Sequence, residues 1–407
     1  MKRCAFKVVR FAGAAGVLVL CGAGTVLAAE PAHLVAILPL SGPYARSGQL
    51  ERDGIDLAVD EINAAGGIKA LGGAKLDVAV KDSGTTVESA VSTARQLLSG
   101  KKPSGGIGAW LSSFTLGVTE ISERRHVPWL TISSSDQISN RGFQYLYQTV
   151  APSSTWADTG LGQLQKLSQD KGCPIKKVAI VGDNTASPTA FFDAVRKSVA
   201  AKYGWTIVMD TTWTPPLADA TAIAQQMKQS QPDLVLFGAS NFPDAAQVLS
   251  RGNEFGVKTN YVGNGSWLVM PEYLRSVGAK NLEGILDISG AHPLKGFDKL
   301  EASFKKRTKE PFIQQEGLAG YYNVWIFKDA MEKAASADPD AINRALKELD
   351  ETTGPAAASL PSGRVKFDKD GRLVGAIPVI AQWRNGVPVS IFPLDRASAT
   401  PEFSCVN

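Results

Sequence analysis

Two short segments of the 407-residue chain carry side chains whose types and spacing suit the binding of an anion. The first is Gly108-Ala109-Trp110-Leu111-Ser112-Ser113-Phe114-Thr115, where an apolar strand-like run ends and a helix follows from about Thr115. The second is Ile132-Ser133-Ser134-Ser135-Asp136, again placed after a strand and ahead of an expected helix. A helix amino end has N–H groups with no intrahelical acceptor and a partial positive charge, so it holds a carboxylate without lysine or arginine. One serine at such a turn is simply a cap. Two serine-rich turns in adjacent units of one sheet can pool their donors on one negative group, and Ser112, Ser113, Ser133 and Ser135 are the candidates.

Other chemistries find little support. His33, His126 and His292 stand in no spacing suited to catalysis or metal binding, and no nucleophile elbow, metalloprotease helix, phosphate loop or dinucleotide fingerprint is present. Gly106-Ile107-Gly108 lacks the third glycine and the acidic follow-up of a dinucleotide site. A secreted serine hydrolase using Ser112 or Ser113 is therefore the weakest reading, and neither a cofactor nor a metal is expected.

The elements that position these turns follow from the hydrophobic pattern. From residue 34 onward β-rich runs alternate with amphipathic stretches, the pattern of parallel sheets covered by helices. Leu34–Leu40, Leu76–Lys81, Gly105–Ala109 and Pro128–Ile132 are the strands of a first doubly wound half. Lys177–Val181, Trp205–Met209, Leu234–Phe237, Asn260–Gly263 and Gly284–Ile288 belong to a second. Pro378–Trp383 and Val387–Phe392 form a hairpin about Asn385-Gly386, and 352–363 is a loop. The expectation is an α/β protein of two doubly wound lobes with a cleft at the carboxyl ends of the strands.

Charge and cysteine usage place the chain. It holds 43 Lys and Arg against 39 Asp and Glu, but Lys2, Arg3, Lys7 and Arg10 supply the whole surplus. With the apolar run Phe11–Leu27 and small residues before Glu30, they form an export signal over 1–28, leaving a formally neutral mature chain. A nucleic-acid partner is disfavoured by that neutrality. Leu20 stands where a lipidation motif wants a small residue, so anchoring at Cys21 is not expected. Cys173 and Cys405 remain after processing, as a disulfide or as two free thiols.

The chain resembles the periplasmic branched-chain amino-acid binding proteins, the leucine/isoleucine/valine-type receptors of ABC importers with the type I fold. The resemblance runs through Ile37-Leu38-Pro39-Leu40-Ser41-Gly42-Pro43 with Gly48, through Asp60-Glu61-Ile62-Asn63-Ala64-Ala65-Gly66-Gly67-Ile68, and through both serine turns. It implies two lobes, 29–150 plus 290–376 and 151–289 plus 377–407, joined by a three-segment hinge. They would close on a small ligand and deliver it to a membrane permease, the protein being a periplasmic monomer. It further implies carboxylate contacts at Ser112 and Ser135, a Ser133 carbonyl facing an ammonium, and Trp110 as a pocket wall. The family's ammonium side is altered: Gly263-Asn264-Gly265-Ser266-Trp267 is neutral where a glutamate is expected, and Gly182-Asp183-Asn184 stands where a tyrosine is expected. Glu316 and Asp183 are the acidic substitutes, and Tyr44, Phe242 and Trp267 the aromatic closures. A ligand-sensing receptor subunit and a binder of a short amide are the alternatives.

Overall fold

The structure is a computed structural model describing residues 30–406; the expected export segment lies outside the described residues. Two sheets organise it. The first has five parallel strands in the order β2-β1-β3-β4-β5: β1 Ala32–Leu38, β2 Leu76–Asp82, β3 Gly105–Gly108, β4 Trp129–Thr131 and β5 Leu146–Gln148. The β1 sequence Ala-His-Leu-Val-Ala-Ile-Leu is apolar on both faces because helices cover both. Between β1 and β2 runs helix α1, Ala45–Ala64, whose Leu50, Ile55, Ala58 and Ile62 are buried at helical spacing. Gly66 and Gly67, with φ of 102° and 77°, turn the chain back after it. Helices α2, Val87–Leu97, and α3, Ser112–Arg125, complete the winding.

The second sheet begins with β6 Lys177–Asp183, β7 Thr206–Trp213, β8 Leu234–Gly238, β9 Asn260–Asn264 and β10 Leu286–Ser289, all parallel. After the small ribbon β11 Asp350–Glu351 and β12 Val365–Lys366, strands β13 Val379–Arg384 and β14 Val387–Phe392 add antiparallel at its edge. The order is β14-β13-β10-β9-β8-β6-β7. Asn385 and Gly386 both take positive φ, 51° and 82°, as the hairpin turn requires. The chain passes between sheets after β5, after β10 and before β13.

Three details differ from the sequence reading. Strand β5 is missing from it, because three residues carry too little alternation to register. The expected loop at 352–363 contains the short helix Gly354–Ser359, opened by Pro355. The segment after Asp136 is a run of turns rather than a helix. Cys173 and Cys405 form a disulfide with Cα atoms 4.9 Å apart, pinning the C-terminal tail against the second sheet's layer.

The helix Gln315–Ala334 crosses α1 so closely that a Cβ on Gly54 would stand 1.8 Å from the Gly317 carbonyl oxygen, and one on Gly320 would stand 2.1 Å from that of Glu51. Both helices bring a carboxyl into this crossing. Glu51 and Glu316 are fully buried, and neither oxygen of Glu51 has a hydrogen-bond partner. Burial, and then the nearby Glu316, push the Glu51 carboxyl well above its ordinary 4.5. An acid raised in the native state loses its proton first in the unfolded chain, so its contribution to stability declines as pH climbs above the unfolded value. Glu51→Gln removes the titrating proton. We expect the variant to gain stability relative to wild type as pH rises above the ordinary 4.5, by up to ~1.4 kcal/mol per pH unit, in urea unfolding. A difference constant with pH would mean that Glu51 is already ionised in the crossing.

Candidate functional site

The carboxyl ends of β3 and β4 lead into the two serine turns, and a chain of hydroxyls welds those turns together. The Ala109 N–H donates to Thr115 Oγ1 at 3.0 Å, Thr115 Oγ1 and Ser133 Oγ lie 2.6 Å apart, and Ser133 Oγ donates to the Trp110 carbonyl at 2.8 Å. An amide can only donate and a carbonyl only accept, so the Thr115 hydroxyl must donate to Ser133 and each proton in the chain has one direction. All the participating side chains are buried. The clamp holds Trp110 at φ 63°, left-handed backbone that a bulky residue adopts only when its surroundings impose it. The indole of Trp129 adds a further bond to the Gly108 carbonyl at 2.7 Å.

With the turns so fixed, Ser135 N–H donates to Ser112 Oγ at 3.3 Å, so the two serine segments do converge. Helix α3 begins at Ser112, three residues ahead of the sequence expectation, and its first accepted N–H groups are those of Phe114 and Thr115, both to Leu111. Among the described residues no acceptor takes the N–H of Ser112, Ser113 or Ser134. Only the first turn has a helix dipole behind it; the second offers turn amides alone.

Facing them are the carboxyl ends of the second sheet's strands. Ser187 in the first turn of the Ala186–Ala194 helix meets Ser134, hydroxyl to hydroxyl, at 2.6 Å. Trp267 meets Trp110 edge to face, centroids 5.1 Å apart. A cavity of about 30 Å³ remains between the halves, bounded by Trp110, Leu111, Ser112, Ile132, Ser133, Ser134, Trp156, Ser187, Ser240, Gly265, Trp267 and Gln315. None of these side chains is charged. Outside this wall Arg46 of α1 reaches Glu272 at 2.5 Å and Glu310 at 2.7 Å; burial alone would lower its pKa, and the two carboxylates more than reverse this.

Of the candidate residues, Ser112, Ser133, Trp110 and Trp267 stand on the cavity wall, with Ser135 bonded directly behind it. Ser113 is half-buried in the first turn of α3. Tyr44 backs the Trp110 indole at 5.9 Å and meets Phe114 edge-on at 6.2 Å. Burial, then Asp183 and Asp244, push the Tyr44 phenol up to about 12, so it stays protonated.

Other expectations are corrected. The Ser133 carbonyl already accepts one bond, from Gln148 Nε2 at 2.7 Å, which leaves it one lone pair for any ligand donor. Asp183 lies behind the wall. Its carboxylate accepts the N–H and hydroxyl of Thr185 at 2.9 and 2.6 Å and is bonded by both the N–H and hydroxyl of Ser240, so it secures that turn. Burial raises its pKa, and these four bonds oppose the rise. Phe242 turns away onto Tyr273, centroids 4.8 Å apart, in the second half's core. Asn264 is fully buried against Gly238, where a Cβ would stand 3.2 Å from its Oδ1, and does not reach the cavity. Glu316 sits behind Trp110: its Oε1 accepts Ser266 Oγ at 2.7 Å and Trp110 Nε1 at 3.4 Å, while Oε2 has no partner. Burial raises its pKa, with Ser266 foremost among the opposing contacts.

The sequence reading omits Ser134, Ser187, Ser240, Trp156 and Gln315 from the site. Ser187 and Ser240 carry the signal used for the first half, a hydroxyl between a strand end and a helix start, and were findable by it. Trp156 and Gln315 lie on segments linking the two sheets, where no periodicity marks them.

A model of the periplasmic binding protein family matches residues 31–386, and the chain belongs to that family. It is 26% identical over 383 residues to the Leu/Ile/Val-binding protein homolog 8 of Brucella melitensis, covering 90% of this chain and 92% of that one. Its fold is shared by the branched-chain amino acid transporter substrate binding protein LivJ of Streptococcus pneumoniae in complex with isoleucine, at 23% identity and TM-score 0.75, over 89% of this chain and all of that one. A solute binding protein of R. palustris in complex with benzoate aligns at 17% identity and TM-score 0.74, over 91% of this chain and 98% of that one. The protein is thus a member of the periplasmic binding protein family with the type I α/β fold.

The clamp yields a direct expectation. Thr115→Val keeps the shape but strands the Ala109 N–H and deprives Ser133 of a donor, so unfolding free energy should drop by roughly 1–3 kcal/mol in denaturant titration. Loss of less than a few tenths would show that the turn does not depend on this hydroxyl.

Proposed function

We propose that the protein binds a small organic carboxylate in the cleft and hands it to a membrane permease, with no chemical turnover. The observation that carries this reading is the set of N–H groups of Ser112, Ser113 and Ser134, left without acceptors beside serine hydroxyls from both sheets, in a wall with no charged side chain. Such donors satisfy a carboxylate and impose no counter-ion that must be desolvated with it. The lobes would comprise 29–150 with 290–376 and 151–289 with 377–407, moving about the three connections, and the protein would work as a monomer in the periplasm.

The same wall argues for an acid without an ammonium. Asp183 is already saturated by four donors, and Glu316 is screened by Trp110. The residual cavity of about 30 Å³ has room for little more than a water or two, so the ligand body must part the Trp110–Trp267 pair. Two indoles separated in this way favour a flat or aromatic body. The benzoate complex of the R. palustris relative supports that choice.

Isothermal titration of the mature protein with benzoate, phenylacetate, leucine, glutamate and benzamide tests the reading. We expect the aryl carboxylates to bind and be recovered unchanged, leucine to bind more weakly, and Ser112→Ala with Ser134→Ala to cost about tenfold in affinity. Binding of benzamide without benzoate would overturn the anion assignment, and tight leucine binding would restore an ammonium subsite.

A further inference from the structure

Away from the cleft, a cavity of about 680 Å³ opens where α1 and the Gln315–Ala334 helix meet the segment after β10 and the residues after β14. Its size falls within the roughly 300–1,000 Å³ typical of small-molecule sites. The floor is apolar and aromatic. Phe297, Leu300, Tyr321 and Trp325 line it, with the Tyr321 and Trp325 rings 6.2 Å apart. Three cations stand on its rim: Lys295, Lys299 and Arg396.

Three cations and one carboxylate, Glu61, line this cavity, so the lining carries a surplus of two positive charges. Glu61, its one carboxylate, already accepts the Tyr321 hydroxyl at 2.7 Å. Arg396 spends its guanidinium on neutral carbonyls, those of Leu360 at 2.8 Å, Pro361 at 3.1 Å and Ala358 at 3.0 Å. These bonds fix the guanidinium in place without pairing its charge, and the neighbouring Asp395 carboxylate is near enough to act on it. Lys295 and Lys299 are exposed, and the Lys295 N–H donates to the Arg396 carbonyl at 2.9 Å, which joins two cation-bearing segments into one rim. A concave aromatic floor under a fixed positive rim complements a molecule with an apolar body and a negative head.

We propose that this cavity is a second binding site, separate from the cleft, for an amphipathic organic carboxylate. The body would lie on Tyr321, Trp325 and Leu300 and the head among Lys295, Lys299 and Arg396. The cleft binds through neutral dipoles, whereas this site binds through formal charge, so affinity here should fall with added salt while affinity in the cleft changes little. The two walls also come from different parts of the chain, the helices covering the first sheet and the segments leaving the second.

The test uses the mature protein and octanoate as probe, with octanol and octylammonium as neutral and cationic counterparts. Titration should show octanoate binding that weakens about tenfold in the charge-reversed Lys295→Glu/Lys299→Glu variant and again in Ala358→Trp, which fills the cavity from an exposed position. Trp267→Ala, which alters the cleft, should leave that binding unchanged. Circular dichroism of each variant verifies folding, and the lysine pair, being exposed, keeps the test decisive if Ala358→Trp does not fold. No octanoate binding, equal binding of octanol or octylammonium, or full affinity in the lysine variant would each overturn the proposal. So would a loss confined to Trp267→Ala, which would assign the probe to the cleft. A dimer abolished by Ala358→Trp in sedimentation without octanoate would give the cavity to a second copy of the chain instead.

Discussion

The cleft depends on one short relay of hydrogen bonds, from the Ala109 amide through the Thr115 and Ser133 hydroxyls to the Trp110 carbonyl. Without it, the backbone between β3 and α3 has no reason to carry a tryptophan at positive φ, and the amides of Ser112 and Ser113 lose their common direction. Because both ends of the relay are backbone groups, it fixes main chain rather than side chains. That is what an anion site built from N–H groups needs, since the groups that do the binding cannot be reoriented by a rotamer change. The cost of burying four polar groups is offset only while every one of them is paired.

Contacts across the cleft are of two kinds, and they act at different depths. Outside the cavity wall Arg46 joins Glu272 of the other half, with Glu310 of its own half beside it, a partly exposed network that solvent and salt weaken. Deeper in, Ser134 meets Ser187 and Trp110 meets Trp267, neutral contacts that a ligand can replace one for one with its own oxygen atoms and ring face. If the halves close on a carboxylate as proposed, closure exchanges a hydroxyl pair for a set of bonds to it. On that reading an equilibrium between open and closed arrangements would be set by the difference between these two sets of contacts.

Much of the fold was legible because the periodicity of its strands and helices is strong: β1, β2, β6, β8 and β9 and the helix stripe of α1 all follow from apolar spacing. Of the site, the two serine turns were legible for the same reason, since they sit at predictable strand ends. What could not be read was the direction of each side chain. Phe242, Asn264 and Asp183 occupy positions beside the cleft in the sequence, yet Phe242 packs on the Tyr273 ring, Asp183 is held by the Thr185 and Ser240 donors, and the buried Asn264 amide lies beside Gly238 with neither polar atom paired. Serine-to-serine contacts across the halves, as between Ser134 and Ser187, depend on tertiary placement and leave no mark in either segment alone.

The buried acids sharpen this point. Glu51, Glu316 and Asp287 cluster near the α1 crossing and the β10 end without a buried cation among them, and burial is the leading cause of the upward shift in each, reaching about 7 for Asp287. Asp287 accepts the Ser266 and Leu268 amides at 2.9 and 3.2 Å, and Ser266 in turn bonds Glu316. One acid of lobe two thus orients the serine that touches an acid of lobe one. Two negative charges linked through a single hydroxyl would repel, so the contact is consistent with at least one proton being retained there. A proton retained there, together with the neutral hydroxyls, lowers the fixed negative charge behind the cleft wall. Under the proposed function, the negative charge of a bound carboxylate is then the dominant one in the cleft, and the amides of the two serine turns are the groups that answer it.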